Sequence, residues 1–298
     1  MKLAEHLKDV TDRRLKLKAI SEGTAHIYNQ TQNRFPRSLL EKDLKDVKRR
    51  DIEDAVMLMN AGGRSPKTIR HALSFLSSCL NDAVDNDLIP ANPALRIKAP
   101  KQRTKVNRNV SDADLKRAIT VAKDHPYGWL FRFALASGLR RGELLALDWG
   151  DIDFAAGTVK VSKSIVVVGN TPFVSTPKTA SSNRKVTLPA AIIQEAKKLK
   201  GGDGDHIPVF KNQIGDRMSL ASASTGIKAL LTDANLGDQT MHSLRHTHAS
   251  QLISSGCPLP AIAQRMGHTD IKTTLGIYAH AANSEDAKLA TAIGNAVN

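Results

Sequence analysis

Cysteine, tyrosine and long apolar runs are scarce in this chain, and each scarcity narrows the range of functions. Cys79 and Cys257 are the only cysteines, which leaves no disulfide framework and no cysteine zinc site and fits a reducing cytoplasm. No segment reaches the roughly 18 uncharged apolar residues of a membrane span. The opening stretch MKLAEHLKDVTDRR alternates charge with leucine instead of building a secretory run. Neither membrane insertion nor export is therefore expected. A P-loop and a cluster of metal-binding carboxylates are also missing, so the sequence predicts chemistry that needs no cofactor, neither nucleotide nor metal. Tyr28, Tyr127 and Tyr278 are the only phenols. No internal repeat or low-complexity tract is found.

Positive charge, by contrast, is abundant. A formal net charge of +14 and a pI near 9.8 favour an anionic partner, and both halves of the chain share the excess. From Leu88 to Ser111 no residue is acidic, while Arg96, Lys98, Lys101, Arg103, Lys105 and Arg108 are basic. Two readings of this stretch stand: a solvated linker, or a strap that crosses a DNA backbone, neutralising phosphates and releasing counterions. With Lys67 and Arg70, the residues Arg96, Lys98, Lys101, Arg103 and Lys105 are the candidate DNA-binding set.

A hydrophobic content of 41% is enough for real cores. Upstream of the basic stretch the periodicity is helical. Ile69, Leu73, Leu76, Leu80 and Val84 recur every three or four residues, with Ser65 as N-cap and Pro66 at the first helical position. Shorter helices are expected over Glu22–Arg34 and Asp51–Met59, giving a small unit of four or five helices. Pro90, Pro93 and Pro100 then hold the chain extended.

Downstream, helices are expected over Ser111–Lys123 and Tyr127–Ser137, the second ending at Gly138. Valine-rich Thr158–Val168, a turn at 169–172, a short extended Phe173–Ser175 and Arg184–Leu188 predict a three-stranded antiparallel sheet. Helices return over Ala190–Lys200, Ser219–Ala234, Ser243–Ser255, Leu259–Met266 and Ile271–Ile277.

Four segments carry a family likeness: ASGLRRGELLALDWGDID at 136–153, TPKTASSNRKVTLP at 176–189, HSLRHTHAS at 242–250 and MGHTDIKTTLGIYAH at 266–280. Together, in this order and at these gaps, they resemble the tyrosine recombinases of the phage-integrase type. SPKTIRHALSFLSSCLNDAVDNDLIPANP at 65–93 is similar to the core-DNA-binding domain of that family. The likeness runs from about Ile20 to His280. It implies a mainly α fold with a small antiparallel β-sheet. A helical core-DNA-binding domain would occupy 1–95, a basic interdomain linker 96–110, a mixed α+β catalytic domain 111–283 and a tail helix 284–298. Too little chain precedes Ile20 for the arm-binding domain that many such integrases carry, which leaves two expectations open: a recombinase acting on core sites alone, or a shortened chain.

Residue by residue, the resemblance implies a catalytic set of Arg140, Lys178, His242, Arg245, His268 and Tyr278. Arg140 falls in Gly-Leu-Arg, with Glu143 as its supporting acid because an unpaired buried guanidinium is costly. Arg141 is expected on a helix surface. Lys178 sits in the Lys-Thr context of a hairpin loop, with Lys163 and Lys185 as rivals. His242 and Arg245 share a helical face by their i,i+3 spacing. A zinc site at His242 and His246 lacks the glutamate of His-Glu-x-x-His, and Arg245 would oppose the metal; His246 and His248 are expected to be structural. Neither Tyr28 nor Tyr127 stands in a nucleophile context, which leaves Tyr278.

The implied reaction is attack of the Tyr278 phenol on a scissile phosphate, giving a 3′-phosphotyrosyl enzyme and a free 5′-hydroxyl. Two guanidiniums can hold phosphate oxygens, imidazoles and an ammonium can move protons, and the phenol can bond to phosphorus. The expected partners are double-stranded DNA attachment sites and further copies of the chain, monomeric in free solution and tetrameric on two duplexes. Accessory DNA-bending or directionality factors would assist. Alternatives are a Xer-like resolution recombinase, a type IB-like topoisomerase acting on one duplex, and a DNA-binding protein that has lost activity. The tail, capped at Ser284 and apolar at Leu289, Ile293 and Val297, must dock on its own or a neighbouring catalytic domain. Deleting 284–298 is expected to leave single-site DNA binding and weaken synapsis, measured by recombination.

Overall fold

A computed structural model describes residues 1–101, 110–169, 171–175 and 183–267. The chain divides into two compact units, Met1–Asn107 with Val167–Thr171, and the remainder from Arg108 onward. Each is mainly helical with strands confined to small sheets, the expected fold class. Among the described residues no helix is long and apolar enough to cross a membrane.

The first unit is built from α1 (Leu3–Lys16), α2 (Glu22–Gln32), the short α3 (Arg37–Leu40), α4 (Arg49–Ala61) and α5 (Pro66–Asp85). α5 starts as the sequence predicts: Ser65 Oγ accepts the Thr68 N–H at 3.1 Å and Pro66 opens the first turn. Its apolar stripe, Ile69, Leu76 and Leu80, is closed to solvent against Leu3, Leu7 and Ile52. Burial of such side chains contributes about 1.5–3 kcal/mol each. Helix α1 is an addition to the sequence reading. Its Leu3, His6, Leu7 and Val10 recur at helical spacing on the buried face, and His6 donates from Nε2 to Cys79 O at 2.9 Å. After α5 the buried Asn92 fastens the proline-bearing stretch, donating to Asn81 Oδ1 at 2.6 Å and accepting from the Ala94 N–H at 2.8 Å.

The second unit is organised around α7 (Gly128–Ser137), against which α6 (Asp112–Val121), α9 (Ala190–Lys200), α10 (Leu220–Asp233) and α11 (Met241–Ser254) pack. Phe131 and Phe133 on α7 and Trp149 are its largest wholly buried side chains. Helix α8 (Arg141–Leu145) follows α7, and α12 (Leu259–Met266) packs on α11 through Ala249, Ile253, Ile262 and Met266.

The sheets differ from expectation. The run Thr158–Val168 is two strands, β2 (Thr158–Val161) and β3 (Ser164–Val168), belonging to different sheets. β2 is central in an antiparallel sheet with β1 (Ile152–Asp153) and β5 (Arg184–Thr187), in the register Ile152↔Val159 and Val159↔Val186. β3 pairs instead with β4 (Thr171–Ser175) in a two-stranded sheet, so 173–175 is not the third strand of the main one. The chain breaks at Ser162–Lys163 because the Lys163 ammonium is held by the carboxylates of Asp148 and Asp151, the latter at 2.8 Å.

Candidate active site

The site grows from two helix ends. Helix α7 stops at Gly138, whose φ of +65° favours glycine and whose missing Cβ makes room for the His248 ring, 2.4 Å from where that atom would stand. Helix α12 stops the same way at Gly267, also at φ +65°, where a Cβ would lie 2.8 Å from Arg184 Nη1. The final carbonyls of a helix lack partners in the helix and carry its negative partial charge. Here cationic and imidazole groups from distant elements take them.

At the end of α7, Leu135 O accepts from His248 Nδ1 at 2.8 Å, Ala136 O from Arg265 Nη2 at 3.1 Å and Gly138 O from Arg245 Nη1 at 2.6 Å. At the end of α12, Arg265 O accepts from Arg184 Nε at 2.8 Å, Met266 O from Arg245 Nη2 and Gly267 O from Arg140 Nη2 at 2.6 Å. Arg245 therefore ties the two ends together. Arg140 reaches the turn immediately before His268.

Arg140 is the extended N-cap of α8, at φ −67° and ψ 150°. Its backbone N–H donates to Glu143 Oε2 at 2.9 Å and its Nη1 to Oε1 at 2.8 Å, so the carboxylate orients it, although Arg140 is not the buried guanidinium that the sequence predicts. A second arginine that the sequence reading did not single out joins them. Arg184, from the first residue of β5, donates to Glu143 through Nη2 at 2.9 Å and Nη1 at 3.2 Å. The Glu143 and Arg184 side chains are 5% and 6% exposed, whereas that of Arg140 is 41% exposed. Burial pushes the Glu143 pKa up, but Arg184 and Arg140 more than offset this and hold it below the usual carboxylate range.

His242 lies in the first turn of α11, which begins two residues earlier than expected because Thr240 and Ser243 form a capping box. Partial desolvation, then Arg245, Arg140 and Arg141, lower its pKa, leaving a neutral imidazole at neutral pH that can accept a proton. Arg245, one turn on and 4% exposed, is pulled down to about 9 by burial and the neighbouring Arg140, and so stays charged. His246 stacks edge-on against His242, ring centroids 4.8 Å apart. Among the described residues no third His, Cys, Asp or Glu joins them in a metal-holding group. His248 is structural: its Nε2 accepts from Arg265 Nε at 3.1 Å.

The structure thus brings Arg140, Glu143, His242 and Arg245 to one locality and adds Arg184 and Arg265. Arg141 is exposed and donates to Ser224 Oγ at 2.7 Å. Of the rival lysines, Lys163 is occupied by its two aspartates and Lys185 is exposed on β5. Lys178, His268 and Tyr278 lie outside the described residues, as do the tail helix and the helix expected at Ile271–Ile277. In the first unit Lys67, Arg70, Arg96, Lys98 and Lys101 are all exposed, while Arg103 and Lys105 lie outside the described residues. A groove of about 690 Å³ is walled by Arg49, Glu53 and Met57 of α4 and by Arg96, Ile97 and Lys98, Arg49 being paired with Glu53 at 2.8 Å. Arg96 holds a left-handed backbone, φ +64°.

The model of the phage integrase family matches residues 108–285. A tyrosine recombinase XerC-like protein of Caldanaerobacter subterraneus subsp. tengcongensis is 31% identical over 247 residues, covering 73% of this chain and 63% of the relative. The ICEBs1 integrase of Bacillus subtilis is 26% identical over 257 residues, 81% of this chain and 69% of that one. The chain thus spans less than two thirds of the XerC-like relative. In fold, it is similar to the Tn1549 transposon integrase solved in complex with transposon right end DNA, with a TM-score of 0.85 at 21% identity, covering 97% of this chain and all of that one.

Proposed function

The chain belongs to the phage integrase family of tyrosine recombinases, and from that premise we propose that it is a site-specific DNA recombinase of a mobile element. It cleaves and rejoins DNA strands through a 3′-phosphotyrosyl intermediate. The observation that carries this reading is the convergence of Arg140 and Arg245 at the turn that ends α12, with a neutral His242 in the first turn of α11 close to both guanidiniums. Two fixed guanidiniums beside a proton acceptor suit a phosphate whose charge rises during reaction.

The Tyr278 oxygen forms a bond to phosphorus as the bond to the 5′-oxygen breaks. His242 takes the phenolic proton, and Lys178 gives one to the departing 5′-oxygen. Arg140, Arg245 and His268 stabilise the added charge of the pentavalent phosphorane. A phenol of pKa ~10 is about one part in a thousand ionised at pH 7, so a nearby base and cations are needed. The phosphotyrosine retains the energy of the diester, and reversal by a new 5′-hydroxyl rejoins the strand. The exposed Lys67, Arg70, Arg96, Lys98 and Lys101, with Arg103 and Lys105, bind backbone phosphates. Exchange between two duplexes cut on both strands needs four phosphotyrosyl bonds, hence four protomers with one tyrosine each. We place the reaction in the cytoplasm, and place accessory DNA-bending or directionality factors beside the tetramer.

A nicked attachment site tests this. The wild-type chain is expected to become covalently trapped through Tyr278, and Tyr278→Phe to bind without trapping; absence of trapping by wild type on the element's own ends would falsify the reading. A second duplex then separates strand exchange from relaxation of one.

A further inference from the structure

We propose that Arg184 is a positioning residue for DNA cleavage, acting on Arg140 through the shared carboxylate of Glu143 and on the end of α12 through the Arg265 carbonyl. The inference rests on the recombinase reading above. Arg140 is the more exposed of the two arginines, and its N–H and Nη1 hold the carboxylate only from within a five-residue helix. Arg184 adds a second, buried hold on both oxygens. Its two nitrogens meet the two Glu143 oxygens, fork to fork, so the plane of the carboxylate is set by a side chain fixed at the end of β5. The remaining acceptor directions then face the backbone N–H and Nη1 of Arg140.

The third nitrogen extends the same control to the opposite wall. Arg184 Nε donates to Arg265 O at 2.8 Å, and the guanidinium packs so closely beneath Gly267 that a Cβ there would lie 2.8 Å from Nη1. Gly267 O is in turn the acceptor for Arg140 Nη2 at 2.6 Å. Arg140 is thus held from two sides, by Glu143 and by Gly267, and Arg184 touches both. A lysine at 184 supplies charge without the fork, and small misplacements of a group that holds the reacting phosphate cost roughly 10²-fold in rate.

Two measurements on the full chain test the proposal. Trapping rates on the nicked site, at saturating DNA and across the pH range, are compared for wild type, Arg184→Lys and Arg184→Gln. Arg184→Lys is expected to slow trapping roughly 10- to 100-fold with DNA affinity little changed. Arg184→Gln is expected to slow it further and to add an acid limb absent from wild type, because Glu143 then protonates at higher pH and releases Arg140. The carboxyl titration of Glu143, followed by carbon NMR on labelled protein without DNA, is expected to move upward in both variants. A structural residue alone would lower the unfolding temperature and leave the trapping rate and its pH profile unchanged. Wild-type trapping by either variant, or an unmoved Glu143 titration, overturns the proposal. Should Arg184→Gln fail to fold, Arg184→Lys decides. Should wild type itself fail to trap, the recombinase reading is lost, and the Glu143 titration still reports whether Arg184 governs that carboxylate.

Discussion

Arg184 and Glu143 meet in a two-point pair, Nη2 to Oε2 at 2.9 Å and Nη1 to Oε1 at 3.2 Å, with 6% and 5% of their side chains exposed. They lie 41 residues apart in sequence, one on a strand end and the other on a short helix.

Glu143→Gln removes the charge that two guanidiniums share while keeping the shape. Breaking a buried pair from one side costs on the order of 3–5 kcal/mol, so a loss of that size in denaturant unfolding at neutral pH is expected. The pH dependence has a definite sign. The folded pKa of Glu143 is below its reference of 4.5, so the folded state binds fewer protons there than the unfolded state. The stabilisation is complete above 4.5 and is lost as pH falls through the folded value. Glu143→Gln should flatten that acid limb, and an unaltered limb would count against the pairing.

Gly138 and Gly267 both sit at φ +65°, a region that costs an L-residue about 1–2 kcal/mol. Alanine at either position adds a collision, with the His248 ring at 2.4 Å or with Arg184 Nη1 at 2.8 Å. Thermal unfolding should fall for both variants. Gly267→Ala should also slow DNA cleavage more than Gly138→Ala, since the atom it displaces belongs to the guanidinium that fixes Glu143. Equal trapping rates for the two variants would contradict that ordering.

Much of this arrangement can be read from sequence, and the rest is hidden for physical reasons. Helix α5 announces itself through Ser65, Pro66 and an apolar stripe that runs without interruption from Ile69 to Val84. Helix α1 does not, because Lys8, Asp9, Arg13 and Arg14 dilute the stripe of Leu3, Leu7 and Val10. Valine content alone reads Thr158–Val168 as one strand; the break depends on Lys163 finding Asp148 and Asp151, which periodicity does not encode. Strand β1 is two residues long and leaves no period at all. The pairing of Arg140 with Glu143 is legible from i,i+3 spacing, and that of His242 with Arg245 likewise. Arg184 and Arg265 escape notice because their partners include backbone carbonyls, 81 residues away for Arg184 and 129 for Arg265. Main-chain acceptors carry no residue signature.

Lys163 and Lys178 should separate cleanly. Lys163→Met leaves Asp148 with Arg217 alone and Asp151 without its ammonium, an expected loss of about 1–2 kcal/mol in unfolding free energy. Trapping per folded molecule should stay near wild type. Lys178→Met should instead leave stability unchanged and slow cleavage by ~10²- to 10⁴-fold, the contribution of a general acid. The reverse pattern would move the proton donor to Lys163.

His248 sets a second pH limit on the second unit. Burial first, then the Arg265 charge, lowers its pKa from 6.5 to about 4, against the opposing hydrogen bond to Leu135 O. The neutral ring donates from Nδ1 and accepts from Arg265 at Nε2, so a second proton would set two donors against each other. Because the folded pKa is the lower one, the folded state binds fewer protons between 6.5 and about 4. Stability from this group is complete above 6.5 and declines as pH falls through that window, by on the order of 3 kcal/mol at most. His248→Gln keeps a donor and an acceptor without a titrating ring. It should unfold more easily than wild type at pH 7 and show a shallower decline toward pH 4. A decline as steep as wild type in urea midpoints across this range would assign the limb to another group.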